Sequence, residues 1–466
     1  MATKINANDS RQWARLWLLI GFVLTSRQAS ATPAFARQMN LQCSTCHTEF
    51  PILNDYGRYF KMGGYTMSTE QTDLPPVAFM VEPGFTHTQG GVQGGAAPGF
   101  HNNDNFALGT ASIFYTGRLF GPYAHDLFGE ATTEVVNKIG VFYQHTYDGV
   151  AKQWSWDNAE FRYADAGRLF GQEALSGLYI NNNPTLQDPW QTLPGWGYPF
   201  NTSPLAATPS AGTLLDGALT HTVIGFGGYT LLNSHWYFDA AVYHTLGTGF
   251  QQFMGVDPTG EAQVDGISPY WRMAYTSKDE TGATSWEVGT FGMYAQTLPG
   301  RDSSAGHDSI LDAGLDAQYQ TLIGGNDLTA TVAWTHESEW WNASQFLGGS
   351  SNVEDTLWHA TATVHILHDK TYGAAIQYFM IDGTHDTALY PNSTGGSPLS
   401  DGVILEVSWL PLNKSGGPKF WPHSNVKLSV QYIIYNHFDG GRSNIDGMGR
   451  RAADNNTLFV GAWIAF

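Results

Sequence analysis

From about Val77 to the last residue, apolar and polar side chains alternate with a period of two. Val426, Leu428, Val430, Tyr432 and Ile434 stand between Lys427, Ser429, Gln431 and Ile433. Leu328, Ala330, Val332 and Trp334 alternate with Thr329, Thr331, Ala333 and Thr335, and Trp358, Ala360, Ala362, Val364 and Ile366 with His359, Thr361, Thr363 and His365. The same reading holds for Val403, Leu405, Val407 and Trp409 around Ile404, Glu406 and Ser408. Neighbouring residues of a strand point to opposite faces, so each run predicts a strand with one apolar face. A soluble sandwich buries that face on a second sheet, and a membrane barrel turns it to lipid. The runs are roughly 9–13 residues long, as a tilted membrane strand requires. Trp236, Trp334, Trp358, Trp409 and Trp463 recur near segment ends, where an interfacial girdle belongs. Both signs favour the barrel.

The segments that read as strands are 78–89, 104–117, 125–135, 139–147, 157–165, 174–182, 215–228, 235–246, 268–277, 285–296, 311–321, 327–337, 355–367, 371–381, 402–410, 425–437 and 456–466. A bacterial single-chain barrel has an even strand number. About sixteen strands are therefore expected, one segment is surplus, and the short piece at 174–182 is the weakest. In the last segment Leu458, Val460, Ala462, Ile464 and Phe466 share one face, and a closing strand with a terminal aromatic looks like an outer-membrane insertion signal. Residues 183–214 hold Pro184, Pro189, Trp190, Pro194, Trp196 and Pro199 and read as a long loop. Such a loop either enters the lumen, covers the mouth or stays outside.

Composition agrees with a mainly β membrane protein. Aromatic residues make up 14%, charged residues only 14%, and there are 53 glycines. No later run approaches the apolar length of a helical span. Composition alone would also fit a large soluble β-protein. Upstream, Arg11 and Arg15 precede the apolar run 16–25, which is followed by Ala29-Ser30-Ala31. This is the pattern of a cleaved export signal over residues 1–31, and the run is too short to span a bilayer as a helix. The formal charge is −19; removing residues 1–31, with four basic residues and one acidic, takes it to −22. An acidic exported chain does not suit nucleic acid.

The chemistry concentrates in Cys43-Ser44-Thr45-Cys46-His47, which contains the only two cysteines. Two thiols at this spacing can bind the two vinyl groups of one haem, and the histidine that follows can ligate its iron. A Cys43–Cys46 disulfide is the main alternative. A thioredoxin-like pair needs a βαβ context that is not visible nearby, and a zinc site needs a further ligand pair. Residues 32–77 thus read as a small, partly helical unit whose short length needs a cofactor or a neighbouring domain to complete its core. Residues 78–466 read as the barrel. A barrel of about sixteen strands leaves an aqueous lumen unless something fills it, and the N-terminal unit can fill it.

The flanks of this motif carry a resemblance. Phe35-Ala36-Arg37-Gln38, then Cys43 to His47, then Phe50-Pro51-Ile52-Leu53-Asn54, Gly57-Arg58-Tyr59-Phe60-Lys61 and Gly64-Tyr65 resemble the fused cytochrome–porin family of iron-oxidising bacteria. Asn183-Pro184, Gln187-Asp188-Pro189-Trp190 and Trp196-Gly197 resemble it less specifically. The resemblance implies an outer-membrane monohaem c-type cytochrome fused to a porin-like barrel. It implies one covalent haem held by Cys43 and Cys46, with His47 as the proximal axial ligand. It implies electron transfer from extracellular Fe(II) to a soluble periplasmic c-type cytochrome, an iron(II):cytochrome c oxidoreductase activity. Met39, Met62 and Met67 are candidate second axial ligands, although an aliphatic residue stands at the Met62 position in much of the family. An acidic mouth would concentrate a cation, and Glu130, Glu134, Asp239 and Glu406 are candidates for it. The alternatives are a haem-bearing redox conduit with another donor or outward electron flow, and a plain diffusion porin with a Cys43–Cys46 disulfide.

Overall fold

The computed structural model describes residues 33–67, 76–92, 94–193, 197–258, 263–418 and 423–466. The expected export signal at 1–31 lies outside the described residues, as do 68–75, Pro194 and Trp196. The strands are β1 (Val77–Thr88), β2 (Asn105–Arg118), β3 (Ile139–Asp148), β4 (Gln153–Leu169), β5 (Gln172–Asn181), β6 (Val223–Leu232), β7 (Trp236–Thr245) and the two-residue β8 (Gln263–Val264). They continue with β9 (Ser268–Lys278), β10 (Ser285–Leu298), β11 (Asp308–Ile323), β12 (Asn326–Trp340), β13 (Glu354–His368), β14 (Tyr372–Gly383), β15 (Ser400–Trp409), β16 (Asn425–His437) and β17 (Thr457–Ala465). All but β8 form a closed antiparallel ring of sixteen strands. Each pairs with its sequence neighbour, β7 pairs with β9, and β17 returns to β1 with Met80 opposite Ala465 and Thr88 opposite Thr457. Closure satisfies the backbone groups that an open edge would leave unpaired.

The ring is inside-out relative to a soluble protein. Phe226, Leu315, Val332, Val407 and Val430 are exposed on its outer face, while Arg162, Arg272, Asp312, Gln318 and Glu406 are buried inside. An exposed apolar band around a polar interior is the surface a bilayer accepts. Trp236, Tyr275 and Trp286 form an outer aromatic row, with ring centroids 4.9 and 5.6 Å apart. One rim carries mostly tight turns. Four have positive φ at both central residues, at Phe170–Gly171, Asn233–Ser234, Gly324–Gly325 and Asp369–Lys370, the backbone twist that matches paired strands. This short-turn rim also carries two longer connections, 119–138 and 410–424. The opposite, long-loop rim carries 89–104, 182–222, 246–267, 341–353, 384–399 and 438–456.

Three expectations need correction. The segment 174–182, the weakest on its pattern, is a full strand: β5 spans Gln172–Asn181. The surplus one is 125–135, which is helical: Ala124–Phe128 and Glu130–Val136, separated by Gly129 at φ 73°. Asp126, Glu130, Glu134 and Lys138 recur every four residues, a helical spacing, and the Glu134–Lys138 pair lies at 3.8 Å. The start of 215–228 is not strand either; Leu214–Asp216 is a 3-10 turn with both leucines buried, and β6 begins at Val223.

The lumen is filled. Residues 33–67 occupy its short-turn half, and the 182–222 connection folds inward above them rather than outward. Ser203 bonds Thr86 at 2.6 Å, Gln377 bonds the Tyr198 carbonyl at 3.0 Å, and Tyr435 bonds the Ala207 carbonyl at 2.9 Å. The amides of Leu214 and Leu215 bond Glu337 and Asp312, at 2.6 and 2.8 Å. The inward segment therefore reaches the wall at β1, β11, β12, β14 and β16.

Candidate functional site

The cysteine pair lies in this lumenal plug, which has two helices, α1 (Pro33–Met39) and α2 (Asp55–Met62). Cys43–Thr45 is a single 3-10 turn, and the amides of Cys46 and His47 both bond the Cys43 carbonyl, at 3.2 and 3.1 Å. Such a turn puts positions i and i+3 on one side, so it presents both thiols together and delivers His47 next. The chain then reverses. The Thr48 amide bonds the Ile52 carbonyl at 3.1 Å, and Leu53 bridges back to His47. Asn54 joins motif to helix. Its amide and side-chain nitrogen bond the Cys46 and Thr45 carbonyls, each at 2.9 Å, while its Oδ1 caps α2 by accepting from Gly57 N at 3.0 Å. A Cβ at Gly57 would stand 2.2 Å from the Cys46 carbonyl oxygen, so only glycine lets α2 lie against the motif.

Cys43, Cys46 and His47 open onto a cavity of about 260 Å³ with a largely apolar wall. Phe35, Phe50 and Phe60 face it from the plug, and Met80, Phe114, Phe142 and Trp463 from the barrel. His47 Nδ1 lies 3.0 Å from the Pro51 carbonyl. A carbonyl only accepts, so Nδ1 carries the proton and Nε2 keeps the lone pair. Burial pushes the imidazole down to about 4, so it is neutral and able to ligate. Burial pushes the Cys43 thiol up to about 11 and Cys46 up to about 12, the latter also through Cys43. That is opposite to the lowered thiol of a redox pair, and the two cysteines are not disulfide-bonded.

These residues fit a c-type haem. Two thiols on one turn can form the thioethers, and an oriented neutral histidine whose second nitrogen is tied to a carbonyl is the usual form of a metal-ligating imidazole. The aromatic walls suit a porphyrin. Lys61, pushed down to about 8 by burial, also lines the cavity and donates its Nζ to the Asp188 carbonyl at 2.8 Å.

The plug is tied to the wall around its circumference. Arg58 donates to Gln318, Gln320 and Ser285 at 3.0, 2.8 and 2.7 Å, and Tyr65 to Glu160 at 2.8 Å. Arg162 donates to the Lys61 carbonyl near the end of α2 at 3.1 Å, a cation where the helix dipole is negative. Glu49 lies 2.9 Å from Lys427, which also pairs with Glu406 at 2.7 Å, and it accepts from Ser408 at 2.6 Å. Burial alone would raise the Glu49 carboxyl; Lys427, His365 and Ser408 together hold it well below the usual range. The plug also lies tightly on β3, where a Cβ at Gly140 would stand 1.7 Å from the Gly64 carbonyl oxygen.

The candidate methionines separate. Met39 lines the cavity. Met62 does not: its side chain is buried in the cluster containing Trp190 and Tyr229, so it is withdrawn as an axial candidate. Met67 is exposed. Met80 lines the cavity from β1 and was missed. Its even parity with the buried Ala78, opposite the outward Phe79 and Val81, was the available signal. Parity also corrects Trp463. It lies opposite Leu458, Val460, Ala462 and Ile464, and instead of joining a girdle it packs on Phe50 at 4.5 Å.

The four acids expected at a mouth do not come together. Glu130 and Glu134 lie on the short-turn rim. Asp239 accepts from Tyr179 and Tyr237 at 2.7 and 2.9 Å, and Glu406 is held by Lys427. Near the long-loop rim Asp312, Glu337, Glu339 and Asp355 are inward and buried, as is Asp308 at the start of β11. A cavity of about 380 Å³ opens beside Glu337 and Glu339. One oxygen each of Asp312, Glu339 and Asp355 has no hydrogen-bond partner. Among the described residues no cluster of three or more His, Cys, Asp or Glu side chains is arranged to hold a metal ion.

Neither a protein-family model nor a curated protein matches this sequence. Among solved structures, the outer membrane channel DcaP of Acinetobacter baumannii is similar over 84% of this chain and 96% of its own, with 9% identity and a TM-score of 0.43. The anion-selective porin from Comamonas acidovorans is similar over 84% and 98%, with 13% identity and a TM-score of 0.42. OmpF of Salmonella typhi, in complex with daunomycin, is similar over 84% and 97%, with 11% identity and a TM-score of 0.41.

Proposed function

We propose that this chain is an outer-membrane electron-transfer barrel that takes electrons from extracellular Fe(II) and delivers them to a periplasmic acceptor. In this reading Cys43 and Cys46 hold one c-type haem and His47 ligates its iron. Such a group, when bound, supplies reversible one-electron chemistry. The observation that carries the reading is the cavity itself: both thiols and an oriented neutral histidine open onto an aromatic-walled space inside a plugged lumen.

The chain's own residues have definable tasks. Pro51 fixes the His47 tautomer through its carbonyl. Phe50, Trp463, Phe114 and Phe142 give the cavity its apolar wall, and Arg58, Glu49 and Tyr65 fix the plug against the barrel. A bacterial barrel has its short turns in the periplasm and its long loops outside, which puts the plug on the periplasmic side. The buried carboxylates Asp312, Glu337, Glu339 and Asp355 then lie toward the cell surface. A diffusion porin has the same kind of barrel, but it needs an open lumen, and here the plug and the inward segment cross it.

Rapid anaerobic mixing of the oxidised protein with Fe(II) tests the donor. Reduction of the haem bands is expected. A haem-bearing protein that Fe(II) does not reduce at the working pH would contradict the donor assignment.

A further inference from the structure

On the short-turn rim most connections are tight, but the 119–138 insert is long and carries α3 (Ala124–Phe128) and α4 (Glu130–Val136). Beside it the β4–β5 hairpin projects past the ring. Asp165 to Arg168 and Phe170 to Glu173 are exposed, although they lie in or between paired strands that elsewhere bury one face. Lys138 joins the two features. It pairs with Asp165 at 2.9 Å, and its carbonyl accepts from the Ala164 amide at 3.3 Å.

The resulting ledge exposes Phe170 at 90%, Leu127 at 63%, Tyr123 at 58% and Val135 at 54%. Asp126, Glu130, Glu134, Asp165 and Glu173 surround these side chains and are exposed as well. Of the bases nearby, Lys138 is engaged by Glu134 and Asp165, and Arg168 stands opposite Glu173 across the hairpin, so the acids remain in excess. Exposed apolar side chains ringed by charge mark an interaction surface. Carboxylates this dense disfavour burial against lipid, which would desolvate them. They favour a basic protein. The ledge is also continuous with the cavity wall, because β2 and β3, which flank the insert, present Phe114 and Phe142 to the cavity and carry Arg118 against the Thr66 carbonyl at 3.2 Å.

We infer that this ledge is the docking surface for a small, soluble, basic electron carrier with an apolar contact patch. The inference rests on the electron-transfer reading above and adds to it where the periplasmic partner sits.

The test is binding of mitochondrial cytochrome c, a small lysine-ringed probe, to the full-length protein in nanodiscs of neutral lipid. Binding that weakens with salt is expected, and it should fall about tenfold or more in both the Glu130→Lys, Glu134→Lys and the Leu127→Ser, Phe170→Ser variants. Unshifted heat-modified gel mobility and haem bands would show both variants folded. Unchanged affinity in both, or equal binding to protein-free nanodiscs, would overturn the inference. The Cys43→Ala, Cys46→Ala protein should still bind the probe, because docking needs no haem. A wild-type protein without haem that binds at the ledge would therefore sink the functional reading and leave the ledge standing. A haem-bearing protein that fails to bind would do the reverse.

Discussion

Arg272→Met is expected to destabilise the protein by about 3–5 kcal/mol, the cost of leaving buried charge uncompensated. Arg272 lies fully buried on β9 with Asp316 at 2.6 Å, Asp188 at 3.3 Å and Glu287 at 3.8 Å, and its guanidinium stands 5.4 Å above the Trp190 ring. Methionine keeps the stem and leaves three carboxylates facing each other. Asp188 also orders the inward segment, accepting from the amides of Trp190 and Thr192 at 3.0 and 2.7 Å. Its loss of a counter-charge should free that segment before the ring opens. Heat-modified gel mobility and denaturant unfolding in detergent measure both effects. Arg272→Lys should restore part of the stability. The Arg272→Met, Glu287→Gln, Asp316→Asn triple variant should also recover part, because only Asp188 then keeps its charge where Arg272→Met alone leaves three carboxylates. An Arg272→Met protein as stable as the wild type would contradict this picture of the lumen.

The second large effect concerns the pore. In a planar bilayer the full-length protein is expected to pass little current, because the plug and the inward segment cross the lumen in series. Deleting residues 33–66 should remove the lower barrier, and deleting 183–213 as well should give the steady conductance of an open sixteen-stranded barrel. Retained heat-modified mobility would show that the ring survives each deletion. Porin-like current from the intact protein would contradict the plugged lumen and favour simple diffusion.

The barrel is legible in the sequence because strand parity is local: Val332 and Trp334 face out and Thr335 and Glu337 face in, as their alternation demands. The helical insert at 119–138 was obscured because Thr132, Thr133 and Val135 resemble a strand, while its signal lay in acids repeating every four residues. The motif at 43–47 and its companion Asn54 are legible because a single turn and a helix cap fix them through near neighbours. Met80 and Trp463 are different. They reach the cavity only through strand closure, which pairs the first strand with the last. The acids at 312, 337, 339 and 355 converge because β11, β12 and β13 pair side by side and the inward segment returns to them, a register that composition does not carry. The direction of the 182–222 segment was likewise open until its partners on the wall were known.

The presence of a covalent iron porphyrin in the plug is the claim on which the rest depends, and visible spectroscopy with in-gel peroxidase staining tests it most directly. Outer membranes containing the wild-type protein should show c-type Soret and α bands on reduction, and the stain should stay with the polypeptide after denaturation. Cys43→Ala, Cys46→Ala should abolish the stain, and His47→Ala should displace the bands. A colourless wild-type protein, or a stain that survives loss of both cysteines, would contradict the account.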